Sequence, residues 1–307
     1  MPNHTTGVLS PRHRVDAHVH IMTHRRVRGG IKWVRPVAPD YYNLSLEVTT
    51  EELLAHLKEE GVEAFFNFFY PLKPAESEEI NEWHQEFAAV CPQAIPFASL
   101  HAGDENKVEI ISRALDRQRF VGFKFHPYIQ GFSILDHRLT RVFQEFQERQ
   151  CPVVIHTGFA EFYRQPSMVE DTRELLRRYP RLHLVVAHML YPDLPLECWP
   201  ALLDEYPHLY LDTTNTLMYC RPGTPDSESL QKLIASHSSR LVFGSDFPMG
   251  TLYPTGKLHD IAARLCPDQD SLDDLMWRTA CRIIGKDLFA DLDGGDTIDS
   301  RESRHVE

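Results

Sequence analysis

The chain has 307 residues, of which 42% are hydrophobic and 25% are charged, and its formal net charge is −12. This length suits one large α/β barrel or two ordinary domains. The negative charge argues against a nucleic-acid partner, whose binding surface would be basic. The longest apolar run, at residues 64–70, is too short to span a bilayer, and the first residues lack an apolar signal segment. We therefore expect a cytoplasmic protein with no membrane partner.

The cysteines and histidines indicate which kinds of site the chain can form. The six cysteines are widely spread and form no C-x-x-C pair, which predicts reduced thiols instead of a disulfide framework. The 17 histidines are more informative, because several of them stand at the ends of apolar runs. A histidine in such a place is either a hydrogen-bonded core side chain or part of a metal or catalytic site.

Short apolar runs alternate along the chain with amphipathic segments of helical length. The predicted strands are residues 14–20, 63–69, 94–101, 120–126, 152–156, 183–188, 209–212 and 240–246. The predicted helices are residues 50–60, 77–90, 107–117, 139–149, 169–179 and 226–236. Near-continuous apolar strands indicate burial on both faces, and their alternation with helices indicates a parallel sheet. Eight such strands predict a single-domain (β/α)8 TIM barrel over residues 14–290, with a doubly wound open sheet as the alternative.

Three segments depart from this alternation. Residues 21–49 form a long connection rich in Arg, Gly and Pro, which we interpret as a functional loop such as a lid, or as a surface excursion. Residues 1–13 are an N-terminal extension. Residues 291–307 are polar, acidic and without periodicity, so we predict a disordered tail.

The first predicted strand carries the sequence VDAHVH, in which Asp16, His18 and His20 are spaced two residues apart. This spacing places all three side chains on one face of a strand. Two histidines on the inward face of a barrel are costly to bury without partners, and a metal ion is one such partner. A hydrogen-bonded pair of structural histidines is the alternative.

Other strand ends repeat the pattern. The fifth strand ends at His156 in VVIHTG, the sixth at His188 in LVVAHM, and the eighth at Asp246 in LVFGSDFP. The carboxyl ends of barrel strands meet at one rim, where barrel enzymes keep their catalytic groups. Histidines and a carboxylate gathered at one rim predict a metal site.

These motifs, in this order, resemble the amidohydrolase superfamily, and GSDFP is particularly similar to its amidohydrolase family 2 branch. That branch includes relatives of aminocarboxymuconate semialdehyde decarboxylase. The resemblance runs from about Val15 to about Gly285. One departure is that Arg278, Thr279 and Ala280 stand where the family often has an Asn-Ala pair.

The resemblance implies a role for each motif residue. The family's metal ligands are matched by His18, His20, His156 and Asp246. We expect one divalent ion per chain and predict that it is zinc. His188 matches a histidine that faces the activated water in one-metal members and binds the second ion in two-metal members. We therefore predict His188 and Asp246 as the catalytic residues.

Further candidates surround this set. Lys124 in VGFKFHP is either the carboxylated bridge of a two-metal site or a cation that binds a substrate carboxylate, and we favour one ion. His126, Tyr163 and Arg164 are predicted to contact substrate from the rim. Asp16 is either an orienting partner of a ligand histidine or a hydrogen-bond acceptor that stabilises the fold.

The predicted function is hydrolysis of an ester, lactone or amide of a small, carboxylate-bearing substrate by a metal-activated water. The alternatives are non-oxidative, metal-dependent decarboxylation and a catalytically inactive barrel that acts as a binding protein. Resorcylate-type decarboxylases often carry Glu at or near the position of His18, and the plain H-x-H of this chain favours hydrolysis. We expect a small-molecule substrate and a homodimer.

Overall fold

Short runs of apolar and aromatic residues form eight strands in the computed structural model, which describes residues 9–36, 44–249 and 255–290. The strands are β1 Val15–Val19, β2 Ala64–Phe68, β3 Ala94–Phe97, β4 Phe123–Phe125, β5 Val153–His156, β6 Leu184–Ala187, β7 Leu209–Asp212 and β8 Leu241–Val242. All pairings between neighbouring strands are parallel. Nearly every strand residue is buried, as expected for a sheet covered on both faces.

Two seams join the strands into a barrel. The strands β1 to β3 form one sheet and β4 to β8 a second. A parallel bridge between Ala98 and Phe123 joins the sheets on one side, and a bridge between Val19 and Phe247 joins them on the other. The amide of Ala17 also donates to the carbonyl of Phe243 at 2.8 Å. The predicted (β/α)8 barrel is confirmed, and the open-sheet alternative is wrong.

Helices surround the barrel. They are α1 His24–Val34, α2 Thr50–Glu59, α3 Ser77–Val90, α4 Lys107–Ser112, α5 Pro127–Gln130, α6 Thr140–Glu148, α7 Ala160–Tyr163, α8 Val169–Arg178, α9 Trp199–Glu205, α10 Thr216–Tyr219, α11 Ser227–His237, α12 Thr255–Leu265, α13 Gln269–Asp273 and α14 Thr279–Ile284. All six predicted helices are present. The other helices, including α1 and those after β8, were not predicted. No helix in the described ranges is long and apolar enough to cross a membrane.

Alternation along β4 shows how a strand serves both core and site. Phe123 packs on Phe146 of α6 with ring centroids 4.7 Å apart. The ring centroids of Phe125 and Phe143 are 6.1 Å apart. Lys124, between the two phenylalanines, points to the opposite face of the strand. The aromatic face therefore anchors the strand to its helix, while the interior face is left for a polar side chain.

The predicted strands extend too far at the rim. His188 and Asp246 have φ values of 63° and 65°, in the left-handed region that non-glycine residues seldom adopt. Such a backbone cannot continue a parallel ladder, so the chain turns there. These outliers coincide with the predicted catalytic residues, which is where backbone strain tends to be found.

The segment at residues 21–49 is not a structureless loop, because α1 occupies its first half. Residues 37–43 lie outside the described ranges. The predicted tail at 291–307 and residues 1–8 of the predicted extension also lie outside them.

Candidate metal centre

Three predicted ligands converge at the rim of the barrel. One ligand atom each from His18, His20 and Asp246 lies within 4.8 Å of the others. The Oδ1 atom of Asp246 is 3.2 Å from Nε2 of His20 and 3.6 Å from Nε2 of His18. The two histidines come from β1, and the carboxylate follows β8, which is adjacent to β1 in the closed barrel.

The GSDFP segment places its carboxylate through close backbone contact with β1. The amide of Asp246 donates to the carbonyl of His18 at 2.8 Å, and the amide of His20 donates to the carbonyl of Phe247 at 2.7 Å. Gly244 makes this approach possible, because a Cβ atom there would lie 2.7 Å from Cβ of His18 and 2.6 Å from Oδ1 of Asp212.

Hydrogen bonds fix the two histidine rings. Nδ1 of His18 donates to Oδ2 of Asp212 at 2.5 Å, and Nδ1 of His20 donates to the carbonyl of Phe68 at 3.1 Å. Each ring therefore keeps an unprotonated Nε2 at the centre, which is the form that binds a metal. Asp212, and not Asp16, is therefore the carboxylate that orients the ring of His18. Asp16 instead accepts from the amides of His18 at 3.1 Å and Ser245 at 2.9 Å.

The short distance between Nε2 of His20 and Oδ1 of Asp246 indicates that a cation binds between them. The carbonyl of Phe68 can only accept a hydrogen bond, so the proton of His20 lies on Nδ1. Nε2 then presents a lone pair to a carboxylate oxygen at 3.2 Å. Two electron-rich atoms at this distance need a proton or a metal ion between them.

His156 and His188 lie beside this cluster and add buried nitrogen atoms that could face a metal ion. Their ring centroids are 4.3 Å apart, and the ring of His188 is 5.1 Å from that of His18. Nε2 of His156 and both ring nitrogens of His188 are buried and have no hydrogen-bond partner among the described residues. Burial lowers the pKa of His188 to about 4. Burial also lowers the pKa of His156, so both rings are neutral at pH 7.

This donor set fits a divalent ion, which His18, His20 and Asp246 would hold. His156, the fourth predicted ligand, lies beside this group and is not part of the set whose ligand atoms are within 4.8 Å of one another. Neutral imidazoles and a carboxylate are the ligands found at such sites. When bound, the ion would act as a Lewis acid on an oxygen of the substrate. The centre is a stronger candidate for a metal site than for a set of structural histidines, because it gathers buried ring nitrogens of His156 and His188, which have no partner in the described part of the chain, beside the converging ligand atoms of His18, His20 and Asp246.

Electrostatics divide the carboxylates into two kinds. Burial raises the pKa of Asp16 and of Asp212 to about 7. Burial acts in the same direction on Asp246, but the combined effect of His20, His188 and Lys124 outweighs it and leaves the pKa of Asp246 below its usual value. Asp246 is therefore the carboxylate that is ionised at the centre.

Lys124 is fully buried beside the centre. Its Nζ donates to Nε2 of His18 at 3.2 Å and lies 4.7 Å from the ring centroid of Phe68. Burial lowers its pKa to about 8, against the opposing charges of Asp212 and Asp246. Lys124 is not among the residues that line the cavity. Its predicted contact with substrate therefore gains no support from its position.

A cavity of about 1590 Å³ opens over the centre and is lined by His20, His156, His188 and Asp246. Much of the remaining wall is aromatic, from Trp33, Tyr70, Tyr128, Phe159, Phe162, Tyr163 and Tyr219. The predicted contacts His126 and Tyr163 lie in this wall, and the Tyr163 hydroxyl is 3.5 Å from Nε2 of His126. Arg164 is exposed at the end of α7 and is not a lining residue.

Sequence reasoning missed two parts of this site. Asn215 lines the cavity and donates from Nδ2 to Oδ2 of Asp246 at 3.3 Å. It follows β7 by three residues, so the rule that strand ends carry function could have found it. The second part is α1, whose residues line one side of the cavity. Two adjacent glycines in α1 lower its helix propensity, so the sequence did not indicate a helix there.

Comparison with known proteins identifies the family. Residues 15–286 match the family model described as amidohydrolase. The chain belongs to this amidohydrolase family. No curated protein is similar to it at a significant level.

Solved structures share the barrel. An uncharacterized TIM-barrel protein from Bordetella bronchiseptica has a TM-score of 0.66 at 16% identity, over 89% of this amidohydrolase and 98% of that chain. The 5-carboxyvanillate decarboxylase of Sphingomonas paucimobilis has a TM-score of 0.63 at 14% identity, over 90% and 99%. A dihydroxybenzoic acid decarboxylase of a Polaromonas species, with bound manganese, has a TM-score of 0.64 at 14% identity, over 89% and 97%. At these identities the likeness shows the fold alone.

Family membership and the centre together make this amidohydrolase a metal-dependent enzyme, either a hydrolase or a carboxy-lyase. The catalytically inactive alternative is wrong. An ion held at the centre would be divalent, and histidine and carboxylate ligands accept several divalent metals.

Proposed function

We propose that this amidohydrolase catalyses the non-oxidative decarboxylation of a small aromatic acid at a divalent metal ion. The observation that carries the proposal is the aromatic wall of the cavity over the His18, His20 and Asp246 cluster. Flat side chains around a reaction centre favour a flat substrate, because ring faces and edges pack well against each other.

The solved structures support the same choice. Several of the proteins that share the fold act on hydroxylated aromatic acids, including 5-carboxyvanillate and 2,6-dihydroxybenzoate. Their manganese-bound examples lead us to propose manganese beside zinc as the ion of this chain. The plain H-x-H, which favoured hydrolysis from the sequence, weighs less than the aromatic cavity.

The reaction needs the chain to hold one acid group at the centre and to deliver a proton to carbon. The carbon–carbon bond to the carboxylate breaks, carbon dioxide leaves, and a proton forms the new carbon–hydrogen bond. His188 and Asp246, which both line the cavity, would take up a proton from water and pass it to this carbon. Asn215 holds Oδ2 of Asp246, which leaves Oδ1 toward the histidines. The surrounding rings present apolar surface to the reacting carbon.

Decarboxylation in D2O tests the proposal. Protein loaded with Mn²⁺ or Zn²⁺ is incubated with 2,6-dihydroxybenzoate and 5-carboxyvanillate. The expected product carries one deuterium at the carbon that lost the carboxylate, as read by NMR and mass spectrometry. The metal-free protein and His18→Ala, which lacks a ligand, are the controls and should form no product. Turnover of esters or lactones, with every aromatic acid left intact, would contradict the proposal.

Hydrolysis remains the second candidate because of one observation. His188 is neutral at pH 7, since burial lowers its pKa to about 4, and its ring nitrogens have no partner among the described residues. A neutral imidazole at a metal centre can accept a proton from an attacking water. A parallel screen of lactones and esters with the same protein samples separates the two reactions.

A further inference from the structure

Helix α1 presents a row of residues to the cavity at some distance in sequence from the metal ligands. Arg25, Gly29 and Trp33 are spaced four residues apart, which places them along one ridge of the helix. All three line the cavity that contains the centre. The cavity of about 1590 Å³ also exceeds the range of about 300–1,000 Å³ that is usual for small-molecule sites.

Gly29 has no packing reason to be glycine. A Cβ atom added there would meet nothing within 4 Å, and the residue is exposed in the middle of a helix. Glycine weakens such a position relative to alanine. Gly30 differs, because a Cβ atom there would collide with Sδ of Met249. The missing side chain at Gly29 therefore keeps space open within the cavity.

Trp33 connects this row to the centre through a continuous series of rings. Its indole stacks with Tyr163 at 5.9 Å and meets Phe162 edge-on at 5.5 Å, yet 48% of the residue stays exposed. The ring of Tyr163 is 5.4 Å from that of His126, which stacks on His156 at 3.7 Å. One aromatic wall thus runs from the metal centre to α1.

Charge at the far end of the cavity is unevenly distributed. Arg25 forms no ion pair with any described residue, whereas Arg26 is paired with Glu76 at 2.8 Å. On the α3 side the cavity is lined by acidic residues, Glu79, Glu82 and Glu86. An anionic group at this end is therefore attracted to α1 and repelled from α3.

We propose that Arg25, Gly29 and Trp33 form a second substrate subsite, which takes a second aromatic ring that bears an anionic group. The substrate is then a two-ring aromatic acid with one carboxylate at the metal and its distal ring over Gly29. The ring packs on Trp33 and its anionic group pairs with Arg25. This inference rests on the proposed function, since it assumes that an aromatic carboxylate binds at the centre.

Binding of three probes to the metal-loaded protein tests the subsite. Isothermal titration calorimetry gives the Kd of benzoate, biphenyl-4-carboxylate and biphenyl-4,4′-dicarboxylate. The second ring should tighten binding about tenfold or more, from its stacking and buried area. The second carboxylate should add about a threefold gain, as expected for a solvent-exposed ion pair. Equal Kd values for the three probes would overturn the proposal.

Variants of α1 locate the effect. Gly29→Phe fills the subsite and should remove the advantage of biphenyl-4-carboxylate over benzoate. Lys32→Phe is the matched control, because it adds the same ring to an exposed position of α1 that does not line the cavity. Arg25→Ala should remove only the gain from the second carboxylate. If Gly29→Phe does not fold, Gly29→Leu, a better helix former, takes its place.

These outcomes separate the inference from the proposed function. A Gly29 variant that folds and keeps the wild-type ratio of the two Kd values means that no subsite lies there, whatever reaction the centre performs. Metal-dependent benzoate binding without any decarboxylation of aromatic acids would instead count against the proposed function.

Discussion

Asp212 holds His18 in the form that binds a metal. The hydrogen bond of 2.5 Å from Nδ1 of His18 is fully buried, so it fixes both the ring and its tautomer. Such a partner is outside the coordination sphere but controls how well the ligand binds.

We therefore expect Asp212→Asn to lower metal affinity by about 10- to 100-fold, the usual effect of losing an orienting carboxylate. Chelator competition measures the affinity directly. Asp273→Asn is the control, because Asp273 is an equally buried carboxylate that accepts from the amide of Arg12 at 3.1 Å, outside the centre. Unchanged affinity in Asp212→Asn would show that the hydrogen bond does not support the metal.

Substitution of His188 tests the catalytic step separately from metal binding. His188→Ala should retain the metal and lower kcat by about 10²- to 10⁴-fold, the contribution of a positioned acid or base. His18→Ala should lose metal and activity together. Metal content by elemental analysis and kcat on the same samples distinguish them. Loss of metal in His188→Ala would make His188 a ligand and favour a two-ion centre.

At the scale of elements, α3 ties together the strand ends that carry the site. Asn81 donates from Nδ2 to the carbonyl of Ser99 at 2.9 Å and accepts from the amide of Ser99 at 3.0 Å. The Ser99 hydroxyl donates to the carbonyl of Lys124 at 2.6 Å. One turn further along α3, His84 contacts Nδ2 of Asn67 at 3.0 Å. Asn67 in turn holds both backbone groups of Ile21, next to His20.

Asn81→Ala should lower the free energy of unfolding by about 1–3 kcal/mol, because it leaves buried backbone groups of Ser99 without partners. Urea denaturation measures the loss. Glu82→Ala, an exposed change on the same helix, should stay within about 0.5 kcal/mol of the wild type. Equal stability of the two variants would mean that water or a shifted side chain replaces Asn81.

For the whole molecule, buried neutral histidines make stability sensitive to acid. Burial lowers the pKa of His84 and of His259 to about 3, below the usual 6.5. Between these values the unfolded chain binds protons that the folded chain does not, so stability falls as pH falls below about 6.5. Asp16 and Asp212, with raised pKa values, act in the opposite direction between about 7 and 4.

Comparing the wild type with His259→Leu measures the contribution of one histidine to the pH dependence of stability. His259 is 7% exposed, its Nε2 is buried without a partner among the described residues, and it packs on Phe243 at 4.8 Å. The unfolding free energy of the variant should fall less steeply on acidification, by a slope that approaches about 1.4 kcal/mol per pH unit below about pH 6.5. Urea denaturation of metal-free protein between pH 7 and 5 measures the difference. Parallel curves for variant and wild type would mean that His259 is protonated in the folded state.

The sequence by itself determined the barrel, the order of its strands and the rim residues His18, His20 and Asp246. Local periodicity reports which segments are buried on both faces, and parallel strands bring their carboxyl ends to one place. The same reasoning overextended the strands, because the turn at His188 and the turn at Asp246 depend on contacts with neighbouring chain segments.

Only the tertiary structure decided which carboxylate orients His18, that Lys124 is buried away from the cavity wall, and that Arg164 does not line the cavity. It also decided that α1 forms one side of that cavity. These facts join residues far apart in the chain, such as His18 and Asp212, and no local pattern encodes such a pairing. The physical reason is that periodicity assigns a side chain to a face, whereas its partner depends on how the closed barrel brings distant strands and loops together.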